Sequence, residues 1–202
     1  MVMGHYATAL IPYAYESNRK LAPFWFFLLA TQMLDFIMVI LVISGVESVV
    51  PKNFFEASFR HMSVDMTYSH DILPVLGWSL LFAVITLLVF KSSKLAVIVF
   101  GLTVLHELMD LLVGFEHFWF GIPEESSGTV FGLGLYNSAP VTGIVVELAI
   151  CAGILAWYFR KRAFDGSPVV RRSKVMLCGV LLGFTTFLIA IADQSLLELF
   201  ST

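Results

Sequence analysis

The sequence predicts an all-α protein: one integral membrane domain over residues 1–202, a polytopic bundle of five long transmembrane helices plus a short N-terminal spanning or re-entrant helix. Three observations carry this. The 202 residues are 58% hydrophobic and 13% charged, where a soluble domain has about 45–50% and about 25%. Five apolar runs reach the roughly 20 residues that a helix needs to cross a bilayer core. Lys and Arg are segregated to alternate connections, as short cytoplasmic loops require. With 19 Phe and 4 Trp, disorder is excluded, and a net charge of −3 gives no basic excess for a nucleic-acid partner.

The first 17 residues, MVMGHYATALIPYAYES, are apolar but short, and Pro12 bends them; they form the short extra helix. No positive stretch precedes an apolar core there, so no cleaved signal peptide is expected. Leu21 to Val46 is the first long helix and carries one charge, Asp35. Ile72 to Phe90 carries none, whereas Leu95 to Gly114 carries His106, Glu107 and Asp110. Ser138 to Phe159 carries only Glu147, and Val175 to Leu197 only Asp193. Gly121 to Gly134 reads as a turn-rich loop. Cys151 and Cys178 lie in apolar runs far apart and read as packing residues. Gly143 and Gly153 permit close helix contacts within one chain or between two copies, so a homo-oligomer stays open.

Arg19, Lys20, Lys91, Lys94, Arg160, Lys161, Arg162, Arg171, Arg172 and Lys174 fall on one side, against Lys52 and Arg60 on the other. The expectation is a multi-pass protein of a bacterial inner membrane with its C-terminus and two longer loops outward.

A carboxylate at the centre of a membrane helix costs about 2.5–3.5 kcal/mol, so such groups face the bundle interior and have partners. Counting at about 1.5 Å per residue puts Asp35, His70, His106, Asp110 and Glu147 at one outward-facing depth, and His5 joins them if its segment starts outside. His106 and Asp110 are four apart and share a helix face. Imidazole and carboxylate suit zinc, and His70, Asp35 or Glu147 can complete the set. Without a cation, neighbouring carboxylates would hold a proton instead. Glu107 points about 100° from His106 and pairs elsewhere or serves as a base. His61 and Asp65 read as solvated, His117 within FEHFWFG as part of an interfacial aromatic belt, and Asp193 as a helix-end carboxylate.

Gly4-His5, Asp35, Tyr68-Ser69-His70 and the His106-x-x-x-Asp110 helix together resemble the bacterial inner-membrane metal-dependent hydrolases, the family that includes LexA-regulated members. The resemblance runs through Gly132-Leu133-Gly134-Leu135-Tyr136-Asn137-Ser138 to Glu147 and covers roughly residues 4–155. The order Asp, His, HxxxD is more distantly similar to the ligand order of zinc-dependent phospholipase C. The resemblance implies His5, Asp35, His70, His106 and Asp110 as metal ligands, with Asn137 and Glu147 as further contributors. Asp71 and Glu107 stand where family members often have Ser and Trp, and Asp65-Met66-Thr67-Tyr68 replaces a His-Arg-Gly lead-in.

The resulting expectation is a membrane-embedded metal-dependent hydrolase holding one or two divalent ions, zinc first, with Asp35, Glu107 or Glu147 taking the proton. Its place at the membrane boundary favours an amphiphilic substrate, a membrane lipid or lipid-linked compound. No Lys or Arg lies in the outer halves of the helices to bind a phosphate. The alternatives are a cation- or proton-handling transporter and a non-catalytic protein with a structural polar cluster. A transport path needs polar groups at both depths, and here the inner halves are almost purely apolar.

Overall fold

The computed structural model describes residues 2–121 and 129–201, which leaves half of the Gly121–Gly134 loop outside the described residues. Five helical stretches are long and apolar enough to cross a membrane: Phe24–Ser44, Ile72–Phe90, Ser93–Val113, Pro140–Phe164 and Arg171–Ile191. At 1.5 Å per residue, 21 residues rise about 31 Å, the depth of a hydrocarbon core. Large side chains such as Ile43, Leu88, Val89 and Val97 are exposed along these stretches, the surface that lipid rather than water covers. The chain is a multi-pass membrane helix bundle.

The N-terminal segment is a broken half-length helix: α1 (Met3–Thr8) and α2 (Leu10–Tyr13) run on through a helical Ala9, and Tyr15 turns extended before α3 (Glu16–Arg19). About a dozen residues rise roughly 18 Å, too short to span. It is nonetheless in the core, with Ala7, Ala9, Leu10 and Ala14 almost wholly buried. The segment therefore starts inside the bundle. The backbone N–H groups of Met3 and Gly4 meet Glu147 Oε1 at 2.5 and 2.8 Å, and Tyr136 donates its hydroxyl to Glu147 Oε2 at 2.6 Å. A carboxylate at a helix N-terminus satisfies orphan donors and complements the helix dipole. Burial and the adjacent carboxylate push the Tyr136 hydroxyl well above its ordinary pKa, so it stays a donor.

The long helix α4 (Phe24–Ser44) follows Pro23 and ends at Gly45, whose φ of 78° is the left-handed cap that glycine adopts without strain. A two-stranded antiparallel hairpin follows, β1 (Ser48–Val50) on β2 (Ser63–Asp65), with Val49 opposite Val64. Helix α5 (Ile72–Phe90) turns back through Lys91 and Ser92 into α6 (Ser93–Val113), whose start is capped by the Ser92 hydroxyl accepting from Leu95 N–H at 3.2 Å. Helix α6 is the most buried of the five spans. The short α7 (Leu135–Ser138) leads to α8 (Pro140–Phe164), which opens on proline, where no N–H is needed. At Gly143 a methyl group would sit 3.1 Å from Leu135 Cβ and 3.3 Å from the Tyr136 ring, so this glycine lets α7 pack on α8.

The last span departs from the expected single helix over Val175 to Leu197. It is α9 (Arg171–Cys178), a π-turn over Gly179–Gly183, α10 (Phe184–Leu188) and a 3-10 turn to Ile191, with a separate α11 (Leu196–Ser201). Glycines at both ends of the π-turn loosen the ladder, and the Thr185 and Thr186 hydroxyls donate to the Leu181 and Leu182 carbonyls. Beyond it, Asp193 pairs with Arg60 Nε at 2.6 Å, so the carboxylate read as a plain helix end ties the 45–71 loop to the C-terminal turn. Leu188, Ile191, Leu196, Phe59, Val113, Tyr136 and Ile144 form one apolar cluster beneath that loop.

Two substitutions separate the anchors. Glu147→Ala leaves two backbone N–H groups and a phenol without an acceptor, and is expected to cost about 3 kcal/mol or more. Arg60→Ala removes an exposed pair and should cost less than about 1 kcal/mol. Thermal unfolding in detergent measures both.

Candidate metal centre

Four elements bring ionisable side chains together at the hairpin end. Asp35 comes from the middle of α4, His70 from the turn before α5, His106 and Asp110 from successive turns of α6, and His5 from α1. His5, His70 and His106 are at most 2% exposed, and Asp110 is buried at 7%.

Hydrogen bonds set the state of each imidazole. His106 Nδ1 lies 2.6 Å from the Thr31 carbonyl, which can only accept, so Nδ1 carries the proton and Nε2 is a bare lone pair. The Ser69 hydroxyl donates to Glu47 Oε2 at 2.9 Å and therefore accepts from His70 Nδ1 at 2.8 Å, which leaves His70 Nε2 bare as well. The two Nε2 atoms then face each other at 3.3 Å. Neither has a proton to give.

Carboxylates close the ring around this pair. Asp110 Oδ2 is 3.3 Å from His106 Nε2 and 4.0 Å from His70 Nε2. Asp35 Oδ1 is 3.5 Å from His70 Nε2 and 3.7 Å from His106 Nε2. A tetrahedral ion at roughly 2.0–2.1 Å from its donors sets them about 3.3–3.4 Å apart; the His70–His106, His106–Asp110 and His70–Asp35 spacings come close to this, and the 4.0 Å between His70 and Asp110 is longer. Two bare imidazole nitrogens and the Asp35 carboxylate converge here, and a cation among them would offset their mutual repulsion. The groups His70, His106, Asp110 and His5, Asp35, His106 can each hold a metal ion.

His5 brings a further donor. Its ring stacks on His106, with centroids 3.5 Å apart and planes within 8°. Its Nε2 is 3.2 Å from Asp110 Oδ1, yet neither ring nitrogen makes a hydrogen bond among the described residues. Each Asp110 oxygen thus faces a different imidazole.

Outside this ring the sequence readings divide. Glu147 and Asn137, expected beside the metal, have other work: Glu147 caps α1, and Asn137 Nδ2 donates to the Phe59 and Met62 carbonyls and so shapes the 58–62 turn. Glu107 is buried away from the ring, with Oε1 3.4 Å from His117 Nδ1 and no hydrogen bond to either oxygen among the described residues. His117 is not an interfacial belt residue; it is 1% exposed and donates from Nδ1 to the His70 carbonyl at 3.0 Å. Burial, reinforced by the nearby His70, pushes its pKa down to about 3, so the ring stays neutral with Nε2 as an acceptor. Asp71 accepts from Phe118 and Gly121 N–H at 2.9 and 2.5 Å and holds the loop that carries His117; burial raises its pKa despite both bonds. Asp71 and Glu107 therefore both serve this loop. His61 is exposed as expected and hydrogen-bonds Ser58, and half-buried Asp65 accepts from Thr67.

Sequence reasoning missed Glu47, His117 and the hydrogen-bonding role of Ser69. Glu47 lies two residues beyond the helix-ending Gly45 and reaches across 21 and 22 residues to the Tyr68 and Ser69 N–H groups. No periodicity announces such a contact. Its one signal is a lone carboxylate at a membrane boundary.

Over the ring lies a cavity of about 180 Å³. Asp35, His70, Asp110 and His117 form its polar part, and Val2, Met38, Val49, Phe59, Met62, Val64, Met66, Phe115 and Tyr136 line the rest. No Lys or Arg lines it.

Fold and site together define a multi-pass membrane protein whose buried His/Asp ring can hold a metal ion below an apolar cavity. No protein-family model, no curated protein and no solved structure matches the chain.

The hydroxyl between Glu47 and His70 gives a direct test. Ser69→Ala removes the acceptor that fixes His70 Nδ1–H, and outer partners of this kind typically contribute 10–100-fold to metal affinity. Zinc affinity measured by chelator competition should fall by about that factor while the melting profile of the metal-free protein changes little.

Proposed function

We propose that this chain is a zinc-dependent hydrolase of a bacterial inner membrane, with its hairpin end outward, acting on a lipid or lipid-linked ester. One observation carries the reading: two imidazole lone pairs and two carboxylates converge at the floor of an apolar cavity. The Lys and Arg distribution supports the orientation, and the resemblance to membrane metal-dependent hydrolases supports the class.

Asp35, His70, His106 and Asp110 would hold the ion, with His5 available as a fifth donor. A bound zinc supplies Lewis acidity toward an ester oxygen and makes water acidic enough to attack near neutral pH. The remaining chemistry belongs to the chain. Asp35 lines the cavity and is the least buried of the ring carboxylates, so it takes the proton. His117 Nε2, neutral and without a hydrogen bond among the described residues, accepts a hydrogen bond from the attacking water and orients it, while Glu107 backs the ring from its Nδ1 side. Glu107 is thus a positioning residue, and Glu147 acts only through α1.

The cavity's apolar lining suits a hydrocarbon chain, and among the described residues no Lys or Arg lines it, which favours a carboxylic ester over a phosphodiester. Below the ring, toward the Lys- and Arg-bearing end, the packing among α2, α4 and α6 is Phe27, Ala30, Leu95, Val99 and Leu102. That layer offers no relay for protons or cations and weighs against a transporter.

The protein purified in detergent should carry roughly one or two equivalents of zinc by mass spectrometry, and His106→Ala and Asp110→Ala should lose it at matched folding quality. Asp35→Asn should keep zinc through the remaining ligands while turnover of ester lipids drops about 10²–10⁴-fold. Wild-type protein that takes up no metal even after zinc dialysis excludes the hydrolase reading.

A further inference from the structure

At the opposite end of the bundle a second cavity, of about 430 Å³, opens among α2, α3, the start of α4, the end of α8 and α9. Arg162 lies fifteen residues beyond Glu147 on α8, about 22 Å along the helix, so this cavity is separate from the His/Asp ring. Two guanidinium groups line it, those of Arg19 and Arg162. Arg162 Nε and Nη1 are shut off from solvent and have no acceptor among the described residues. The nearby carboxylates are engaged elsewhere, Asp165 by Lys161 at 2.6 Å and Glu16 by Lys20 at 2.9 Å. No Asp or Glu lines the cavity. Arg19 Nη1 donates to the Ala14 carbonyl at 3.2 Å, which fixes that guanidinium at the cavity edge.

A guanidinium with two nitrogens shut off from solvent and without an acceptor among the described residues is costly, and its planar fork matches a phosphate oxyanion. Leu10, Phe24 and Leu177 make the adjoining wall apolar, as a hydrocarbon chain requires. We propose that this cavity binds the phosphate group of an anionic amphiphile, a phospholipid of the leaflet at the Lys- and Arg-bearing end, with Arg162 and Arg19 as its ligands. A free phosphate ion is the other source of the same chemistry.

Native mass spectrometry from detergent, with phosphatidylglycerol and phosphatidylcholine of identical chains, tests this. The wild type should retain phosphatidylglycerol about tenfold more tightly, the weight of one charge-assisted contact. Arg162→Gln should lose that preference, and Arg171→Gln, an exposed cation outside the cavity, should keep it. Inorganic phosphate that protects the wild type but not Arg162→Gln against thermal unfolding, without any lipid preference, assigns the site to the free ion. An Arg162→Gln protein that keeps the lipid preference overturns the proposal. So does one that melts lower than wild type in lipid-free detergent, because the guanidinium would then already have a partner within the protein.

Discussion

Two imidazole lone pairs facing each other across 3.3 Å inside an apolar bundle are the constraint on which the rest of the structure depends. Their direction is imposed from behind, by a helix carbonyl on one ring and by a serine held on a carboxylate on the other. Each support comes from a different segment. Thr31 must lie on α4 facing α6, and Glu47 must follow α4 closely enough to meet the turn before α5. Asp71 and His117 then fasten the same turn to the loop beyond α6. In a medium with no water to satisfy stray polar groups, such an arrangement forms only where every outer bond is made. The two bare imidazole nitrogens that this leaves facing inward are suited to a cation.

The half-length N-terminal helix completes this geometry. A full span would carry its polar start past the ring, whereas a helix of about a dozen residues ends beside it. Glu147 makes that ending tolerable by taking the two leading N–H groups, and Tyr136 takes its second oxygen. His5 thereby stacks on His106 with its nitrogens directed at no other group among the described residues.

The spans and the ring residues were legible in the sequence because an ionisable residue inside an apolar run has few reasons to be there. Asp35, His106 and Asp110 announce themselves that way, and the i,i+4 spacing puts the last two on one helix face. Glu147 was legible as buried but not in its role, since a helix terminus and a metal attract a carboxylate by the same charge. His117 was misread because its aromatic neighbours match an interfacial belt, and only the fold of the 115–121 loop turns it inward. Glu47 and the Thr31 carbonyl stayed hidden for a simpler reason: one acts over a long sequence distance, and the other is a backbone atom. The break in the last span was missed because Gly179 and Gly183 sit in an apolar run with no charge or proline to mark it, and the Leu181 and Leu182 carbonyls that Thr185 and Thr186 bond are backbone atoms.

The two ends of the bundle are chemically opposite, carboxylates and imidazoles under an apolar roof at one and two guanidinium groups at a cavity's edge at the other. The account stands or falls on the first. X-ray absorption at the zinc edge of the zinc-loaded protein reads it directly. The account predicts a shell of nitrogen and oxygen only, at roughly 2.0–2.1 Å, with outer scattering from two or three imidazoles. A sulfur shell at about 2.3 Å, or a spectrum of hexa-aqua zinc without imidazole scattering, would contradict it.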